Sequence, residues 1–159
     1  MIYPSSCVGE GTWHQGDRFN VSEVCSFNHF DHVGVAVKDI EAALAFFRKV
    51  FDVPDAEVVL MEDQGVRACL VEVGQTRLEL LEPTGPESGV GRFIERRGEG
   101  LHHLALNVTD ISGKLQTLQT LSVDLIDQTP REGLSGTIAF IHPRSVFGVL
   151  TELVENDSK

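Results

Sequence analysis

The sequence has little positive charge. Its 13 Lys and Arg residues stand against 24 Asp and Glu residues, and the formal net charge is -11. Nucleic-acid binding requires a basic surface that neutralises phosphates, so this balance argues against a nucleic-acid partner. It does not exclude an anionic small molecule, because a few local cations or a metal ion can hold one within an acidic protein.

Long apolar runs and abundant cysteine are also missing. No stretch of 18 or more apolar residues occurs, so we expect no membrane-spanning segment and no membrane partner. Residues 1–10 lack the basic region followed by an apolar stretch that is typical of a secretory signal. The only cysteines are Cys7, Cys25 and Cys69, and an odd number does not suggest a disulfide framework. We therefore expect a cytoplasmic protein in a reducing compartment.

Hydrophobic periodicity is absent from the first 28 residues, which contain Pro4 and several glycines. We predict an irregular N-terminal arm over residues 1–28, followed by a single domain over residues 29–155. Cys7, His14 and Cys25 in this arm match no established zinc-binding spacing, so a second metal site there is disfavoured.

A regular pattern begins near residue 30. Residues 32–37 alternate and are rich in valine, which predicts a strand. A helix is predicted next, because Ile40, Leu44, Phe47 and Phe51 recur at helical spacing behind the potential cap Asp39. Two strand-like runs, 68–73 and 76–81, follow around a tight turn, and residues 91–97 predict a short helix.

The same plan then repeats. His103 follows His32 by 71 residues, as Asp110 follows Asp39, and the two strand sequences that begin at these histidines match. Each half therefore reads as a strand, a helix and a run of strands, which predicts an α+β fold built from a duplicated half-domain. We place module 1 at about residues 30–83 and module 2 at about residues 101–155.

The repeat also pairs residues that can ligate a metal. Histidine begins the first strand of each half, and glutamate lies in the last strand. Either residue alone is more often structural, but recurrence of both at matching positions indicates one site between the halves. We predict a divalent metal on His32, Glu79, His103 and Glu152, a donor set that suits Zn, Ni, Co, Mn or Fe. Strand alternation would point His102 away from His103, which favours a packing or supporting role for it.

Several segments carry a family resemblance. The chain resembles the vicinal oxygen chelate superfamily and, within it, the methylmalonyl-CoA epimerase family. The resemblance covers residues 30–155 and is carried by Asp31-His32-Val33-Gly34-Val35-Ala36-Val37, Leu78-Glu79-Leu80-Leu81-Glu82-Pro83, Arg96-Arg97-Gly98-Glu99-Gly100-Leu101-His102-His103, His142-Pro143-Arg144-Ser145 and Gly148-Val149-Leu150-Thr151-Glu152-Leu153.

The resemblance implies two tandem βαβββ modules around a divalent ion such as Co, Mn, Ni or Zn. It places the ligands on His32, His103 and Glu152, with Glu79 at a fourth position where some members have Gln. It implies an epimerase that acts on a small-molecule acyl-CoA by removing and returning a C2 proton, and it implies a homodimer.

Roles for individual residues follow from the same resemblance and from chemistry. Glu152 is a candidate proton-transfer residue, because a ligating carboxylate can keep one oxygen free, although it could serve as a ligand only. Arg144 and Ser145 are candidate substrate contacts, since Arg suits a carboxylate or phosphate. Arg96 and Arg97 are weaker candidates of the same kind. Some members carry a second carboxylate base where this chain has Ala68.

Two other functions remain compatible with this scaffold. A sister enzyme could epimerise another substrate, such as a cyclitol ketone, or act like glyoxalase I on a glutathione adduct. A non-catalytic binding protein is the third possibility, but binding proteins of this superfamily generally lack the metal ligands that this chain keeps.

Overall fold

The computed structural model describes residues 27–156. The predicted arm, residues 1–28, lies outside the described residues except for its last two. The described residues form three α-helices, α1 (Ile40–Phe51), α2 (Gly89–Arg97) and α3 (Ile111–Thr120), and one short 3-10 helix (Pro143–Ser145). The strands are β1 (Phe30–Ala36), β2 (Val59–Met61), β3 (Val66–Val73), β4 (Thr76–Pro83), β5 (Gly100–Asn107), β6 (Arg131–Glu132), β7 (Thr137–Ile141) and β8 (Thr151–Glu155).

All of these strands belong to one sheet, in the order β2-β3-β4-β1-β5-β8-β7-β6. The first strands of the two halves, β1 and β5, pair antiparallel at its centre. Strand β4 runs parallel to β1 on one side, and β8 runs parallel to β5 on the other. The predicted α+β fold of two strand–helix–three-strand modules is confirmed. We propose the module limits of about 30–83 and 101–155, which leave α2 as the connection between them.

Each module has its own apolar core between its helix and its half of the sheet. Ile40 and Leu44 of α1 pack with Leu80, and Ile111 and Leu115 of α3 pack with Leu153. Leu118 lies at the edge of the second core.

The predicted stripe of α1 is wrong at its last residue. Phe51 is 60% exposed, and its ring lies beside those of Phe46 and Phe47. The helix ends there because Asp52 adopts a left-handed conformation. Among the described residues, no helix combines the length and the apolar character needed to cross a bilayer.

The last strand of each module holds the start of that module's helix. Glu82 in β4 accepts a hydrogen bond from the Ile40 backbone N–H at 3.0 Å, and Glu155 in β8 accepts one from the Asp110 N–H at 2.7 Å. A carboxylate at a helix N-terminus satisfies an otherwise unpaired donor and complements the helix dipole. These bonds fix β4 and β8 three residues beyond Glu79 and Glu152.

Candidate metal centre and active site

The parallel strand pairs place the two glutamates at equivalent positions. Glu79 lies opposite Gly34 in β1, and Glu152 lies opposite Ala105 in β5. Gly34 and Ala105 each follow a candidate histidine by two residues, so each glutamate shares a sheet face with the histidine of its own module. The antiparallel pairing of β1 with β5 then brings the two modules' side chains together.

The structure brings all four predicted ligand residues into one buried cluster. One donor atom from each of His32, Glu79, His103 and Glu152 lies within 4.8 Å of the others. The two Nε2 atoms are 3.1 Å apart. The Glu152 Oε2 atom lies 2.9 Å from His103 Nε2 and 3.5 Å from His32 Nε2, and the corresponding distances for Glu79 Oε2 are 3.4 and 3.5 Å.

These spacings fit a common ion. Donors about 2.1 Å from one metal lie about 3.0–3.4 Å apart in octahedral or tetrahedral arrangements, and the measured separations span this range. Mixed imidazole and carboxylate donors suit a borderline divalent ion. The donor set therefore fits a metal, and the occupancy of the site stays a prediction.

A β-bulge precedes each of the two histidines. The β1–β5 register shifts between Phe30 and His32 and again between Gly34 and Val35, where His103 and Leu101 are the successive partners. The extra residues are Asp31 in β1 and His102 in β5, which are equivalent in the repeat. A bulge redirects side chains that strict alternation would place on the other face.

The first bulge residue supports His32. The Asp31 Oδ1 atom lies 2.8 Å from His32 Nδ1, Arg77 forms an ion pair with the same carboxylate, and Asn156 donates to its Oδ2 at 2.8 Å. Burial would raise the pKa of Asp31, but the hydrogen bonds with His32 and Asn156 and the Arg77 charge lower it to about 2. An ionised carboxylate only accepts hydrogen bonds, so His32 Nδ1 carries the proton and Nε2 points to the cluster.

The second bulge residue contacts His103, which corrects the prediction that His102 points away from it. The two Nδ1 atoms are 2.9 Å apart, and Phe93 packs edge-on against the His102 ring at 4.9 Å between centroids. Burial lowers the pKa of His102 to about 4, and the His103 charge adds to this effect. A neutral His102 can accept the His103 Nδ1 proton, which leaves His103 Nε2 free for a ligand.

When no ion is bound, a proton on His32 offsets part of the negative charge of the carboxylates around it. Burial would lower the pKa of His32, but hydrogen bonds with Asp31, Glu152 and Glu79 outweigh it and raise the pKa to about 11. Burial would raise the pKa of Glu152, yet hydrogen bonds with His103 and His32 lower it. A cation that binds here must therefore displace at least the His32 Nε2 proton.

The cluster lies in the wall of a cavity of about 450 Å³. Glu79, His102, His103 and Glu152 line it, together with Arg131. The other walls are mainly apolar and include Met61, Val66, Ala68, Leu81, Val90, Ile126, Leu134, Ile138, Phe140 and Leu150. A few convergent polar groups in an apolar cavity are typical of a small-molecule site.

The predicted arginine contacts do not line this cavity. Arg144 is exposed and forms an ion pair with Asp124, and Ser145 contacts the same Asp124. Arg96 and Arg97 are exposed on α2. The structure instead places Arg131 at the cavity, a residue that the sequence analysis did not identify because it lies in the two-residue strand β6.

Comparison with known proteins agrees with this arrangement. Residues 31–140 match the Glyoxalase/Bleomycin resistance protein/Dioxygenase superfamily. The chain is 41% identical over 129 residues to the uncharacterized protein YqjC of Bacillus subtilis (strain 168), covering 80% of this chain and 92% of that one. It is 34% identical over 134 residues to the mitochondrial methylmalonyl-CoA epimerase of Mus musculus, covering 83% and 75%.

A solved structure is similar over the same region. It is a Streptomyces coelicolor methylmalonyl-CoA epimerase variant in complex with 2-nitronate-propionyl-CoA, with 33% identity and a TM-score of 0.80. The match covers 84% of this chain and all of the other chain.

The absence of a side chain at Gly34 leaves room for His103, because a Cβ at this position would overlap the His103 imidazole. We expect Gly34→Ala to displace that ring and to weaken Co²⁺ binding by about 10- to 100-fold, the usual effect of disturbing a ligand's support. The affinity of each variant for Co²⁺ is measured by isothermal titration calorimetry. Gly85→Ala is the matched control, since an added Cβ there meets no atom within 4 Å. Equal affinity of both variants would contradict the prediction.

The His32 proton generates a pH prediction. Because the pKa of His32 is raised to about 11 without an ion, this residue is protonated at neutral pH and must lose a proton when the metal binds. Apparent affinity should therefore rise by about tenfold per pH unit for each proton displaced. Titrations between about pH 6 and about pH 7.5, in buffers with different ionisation enthalpies, should show proton release. A metal affinity that does not change with pH, together with a binding heat that does not change with the buffer, would exclude release of the His32 proton.

Proposed function

The chain belongs to the glyoxalase/bleomycin resistance protein/dioxygenase superfamily, and from this premise we propose that it is a metal-dependent epimerase. In this proposal it interconverts (R)- and (S)-methylmalonyl-CoA by removing and returning the C2 proton. The observation that carries the proposal is the buried cluster of two imidazoles and two carboxylates in the wall of a largely apolar cavity. Relatives named methylmalonyl-CoA epimerase, at 30–34% identity over more than four fifths of this chain, support the substrate class.

The reaction has one main energetic difficulty. The C2 proton lies between a thioester and a carboxylate and is too weakly acidic for a carboxylate in water to remove quickly. A divalent ion held by His32, Glu79, His103 and Glu152 supplies Lewis-acid stabilisation of the negative charge that develops as this proton leaves. We propose Co, Mn, Ni or Zn as this ion.

The chain's own residues provide the proton transfer and its environment. Glu152 directs Oε2 to the two imidazoles, and its Oε1 makes no hydrogen bond with the described residues. We assign Glu152 as a proton-transfer residue that holds the C2 proton on this second oxygen. The apolar walls around Ala68, Phe140 and Ile138 limit competing hydration of the carboxylate, which strengthens electrostatic interactions at the reacting carbon.

Arg131 is our candidate for the substrate's anionic group. Its guanidinium lies over the Phe140 ring at 5.5 Å from the centroid, and its Nε is 3.4 Å from Asp127 Oδ1. Asp127 is itself fixed, because its Oδ2 accepts the Phe140 N–H at 2.8 Å. The two Nη groups make no hydrogen bond with the described residues, so they are free to bind a carboxylate or phosphate bidentately. Arg144 and Ser145 stay proposed substrate contacts outside the cavity.

A sister activity remains the second candidate, and Ala68 favours it. This position is buried and apolar, whereas the resemblance predicts a second carboxylate base there in some epimerases. An enzyme that acts like glyoxalase I on a glutathione adduct, or that epimerises a cyclitol ketone, would use the same four donors.

The assembly and the location are proposals as well. A homodimer follows from the family resemblance alone. A cytoplasmic location is supported by the scarcity of cysteine, and the buried Cys69 is unpaired among the described residues.

Proton exchange with solvent tests the function. Protein loaded with one Co²⁺ per chain is incubated in D₂O with methylmalonyl-CoA, and deuterium at C2 is followed by NMR. The same assay is run on a glutathione hemithioacetal and a cyclitol ketone. We expect fast exchange and epimerisation of methylmalonyl-CoA, both lost in His103→Ala. No exchange in fully loaded wild-type protein would refute the epimerase and, with activity on another substrate, support the sister enzyme.

Arg131 gives a separate prediction. Loss of a charge-assisted hydrogen bond costs about 1.5–3 kcal/mol, so Arg131→Ala should raise KM for the acyl-CoA by about 10- to 100-fold with a smaller effect on kcat. Arg144→Ala is the comparison variant, because Arg144 is exposed and paired outside the cavity. If Arg144→Ala raised KM and Arg131→Ala did not, the anion contact would lie at Arg144.

A further inference from the structure

We propose that Asn156 is a positioning residue for the metal centre, which acts on His32 through Asp31. The inference rests on the proposed metal-dependent function and adds a residue outside the cluster itself. Asn156 directly follows β8, the strand that carries Glu152. Its side-chain amide donates to Asp31 Oδ2 at 2.8 Å, and Asp31 Oδ1 lies 2.8 Å from His32 Nδ1. The end of module 2 thus supports a predicted ligand of module 1.

The partners of Asn156 fix the orientation of its amide. Its Nδ2 group donates to the Ser135 carbonyl at 2.9 Å as well as to Asp31, so both amide hydrogens are used. Its Oδ1 accepts a hydrogen bond of 2.7 Å from Asn107 Nδ2. A rotated amide would place its oxygen against two acceptors, the carboxylate and the carbonyl, so only one orientation satisfies all three partners. Asn156 therefore presents a fixed donor to Asp31.

The support continues through a chain of amides to the start of β1. Asn107, in β5, is 1% exposed, and its Oδ1 accepts from Asn28 Nδ2 at 2.7 Å. The Asn107 backbone also bonds to the Asn28 N–H and to the His29 carbonyl. Each amide donates to the next, and the chain ends on a carboxylate, which can only accept. Burying an amide is costly unless its hydrogen bonds are satisfied, so a buried asparagine in a strand indicates a specific polar role.

The other module has no equivalent of this amide chain. The offsets that relate the two modules place Ala36 at the position equivalent to Asn107, and Pro83 at the position equivalent to Asn156. Neither of these side chains can donate or accept a hydrogen bond. The asparagines are therefore not part of the duplicated scaffold but a feature of one side of the site.

The supports of the two histidines differ in the same way. His102, the residue equivalent to Asp31, contacts His103 through Nδ1 and bonds to no side-chain amide among the described residues. The amide chain thus accompanies the carboxylate support of His32 and not the imidazole support of His103. This pairing is expected if the amides serve to hold the carboxylate.

Asp31 needs a second anchor because a charged side chain competes for it. Arg77 forms an ion pair with Oδ1, the same oxygen that His32 contacts. Among the described residues, only Asn156 has a side chain that bonds to Oδ2. Without this bond the carboxylate can turn about its Cβ–Cγ bond and offer both oxygens to the guanidinium, which favours bidentate pairing. His32 would then lose the acceptor that orients its ring and directs Nε2 to the cluster.

Calorimetric titration of the ion-free protein with Co²⁺ tests the proposal without any substrate. We expect Asn156→Ala to weaken Co²⁺ binding by about tenfold, the lower end for loss of an outer partner of a ligand. Asn28→Ala is the matched control, because Asn28 bonds to Asn107 and Thr109 but does not touch Asp31. The control should bind Co²⁺ as the wild type does. An equal loss of affinity in both variants would overturn the proposal.

A double-mutant cycle shows whether Asn156 acts through Asp31. In an Asp31→Ala background, Asn156→Ala should cause no further loss of Co²⁺ affinity, because the carboxylate that it holds is gone. Additive losses would overturn the proposal, since they would mean that Asn156 only stabilises the end of β8. Asn156→Asp is the second variant if the alanine variant fails to fold. It keeps the shape and the acceptor for Asn107, and it should lose affinity because it lacks the donor.

The His32 ring provides a readout that a purely structural role would not change. In ion-free wild-type protein, proton NMR should show a downfield, slowly exchanging Nδ1–H resonance of His32 that Asp31→Ala removes. We expect Asn156→Ala to weaken or abolish this resonance and Asn28→Ala to retain it. An unchanged resonance in Asn156→Ala would overturn the proposal.

Failure of the proposal and failure of the proposed function give different results. Wild-type protein that binds no Co²⁺ would refute the metal centre and the positioning role together. Wild-type protein that binds Co²⁺ but does not act on methylmalonyl-CoA would refute only the epimerase function, because neither the titrations nor the NMR measurement uses substrate.

Discussion

Convergence of two imidazoles and two carboxylates in one buried space is the constraint on which the rest of this structure depends. Strands β4 and β8 lie three positions apart in the sheet, which is about 14 Å in a flat sheet, yet their glutamate oxygens reach one cluster. The sheet must therefore curl around the β1–β5 pair. Burying like-charged carboxylates is costly unless a cation or protonated groups compensate them. The site therefore favours a positively charged occupant.

Several local features follow from this constraint. Gly34 leaves the space that the His103 ring fills, and bulges at Asp31 and His102 direct those side chains onto the Nδ1 atoms of the two histidines. The supports differ between the modules, because a carboxylate holds His32 and an imidazole holds His103. Ion pairing with Arg77 keeps the first support ionised. The duplicated scaffold therefore carries two chemically distinct ligand environments within one nearly symmetric cluster.

The repeat made the fold and the four cluster residues predictable from sequence, because duplication links positions that are far apart in the chain. The helices and most strands agree with the periodicity, although Phe51 is exposed where the stripe ends. The orientation of His102 was not predictable from alternation, since a bulge reverses it. The sequence feature that could have indicated this orientation is the equivalence of His102 to Asp31 in the repeat. The role of Arg131 at the cavity could not be predicted from the sequence. A two-residue strand has no periodicity, and the position of the Arg131 guanidinium depends on its contacts with Phe140 and Asp127.

We propose that each module contributes one imidazole and one carboxylate to a single ion. X-ray absorption spectroscopy of the Co²⁺-loaded protein distinguishes this arrangement from others, because multiple scattering counts imidazole ligands and the distances to the directly bound atoms separate oxygen from sulfur. We expect two imidazoles with oxygen donors and no sulfur in the wild-type protein, and one imidazole in the His103→Ala variant. A spectrum with sulfur ligands, or with two imidazoles remaining after removal of His103, would contradict it.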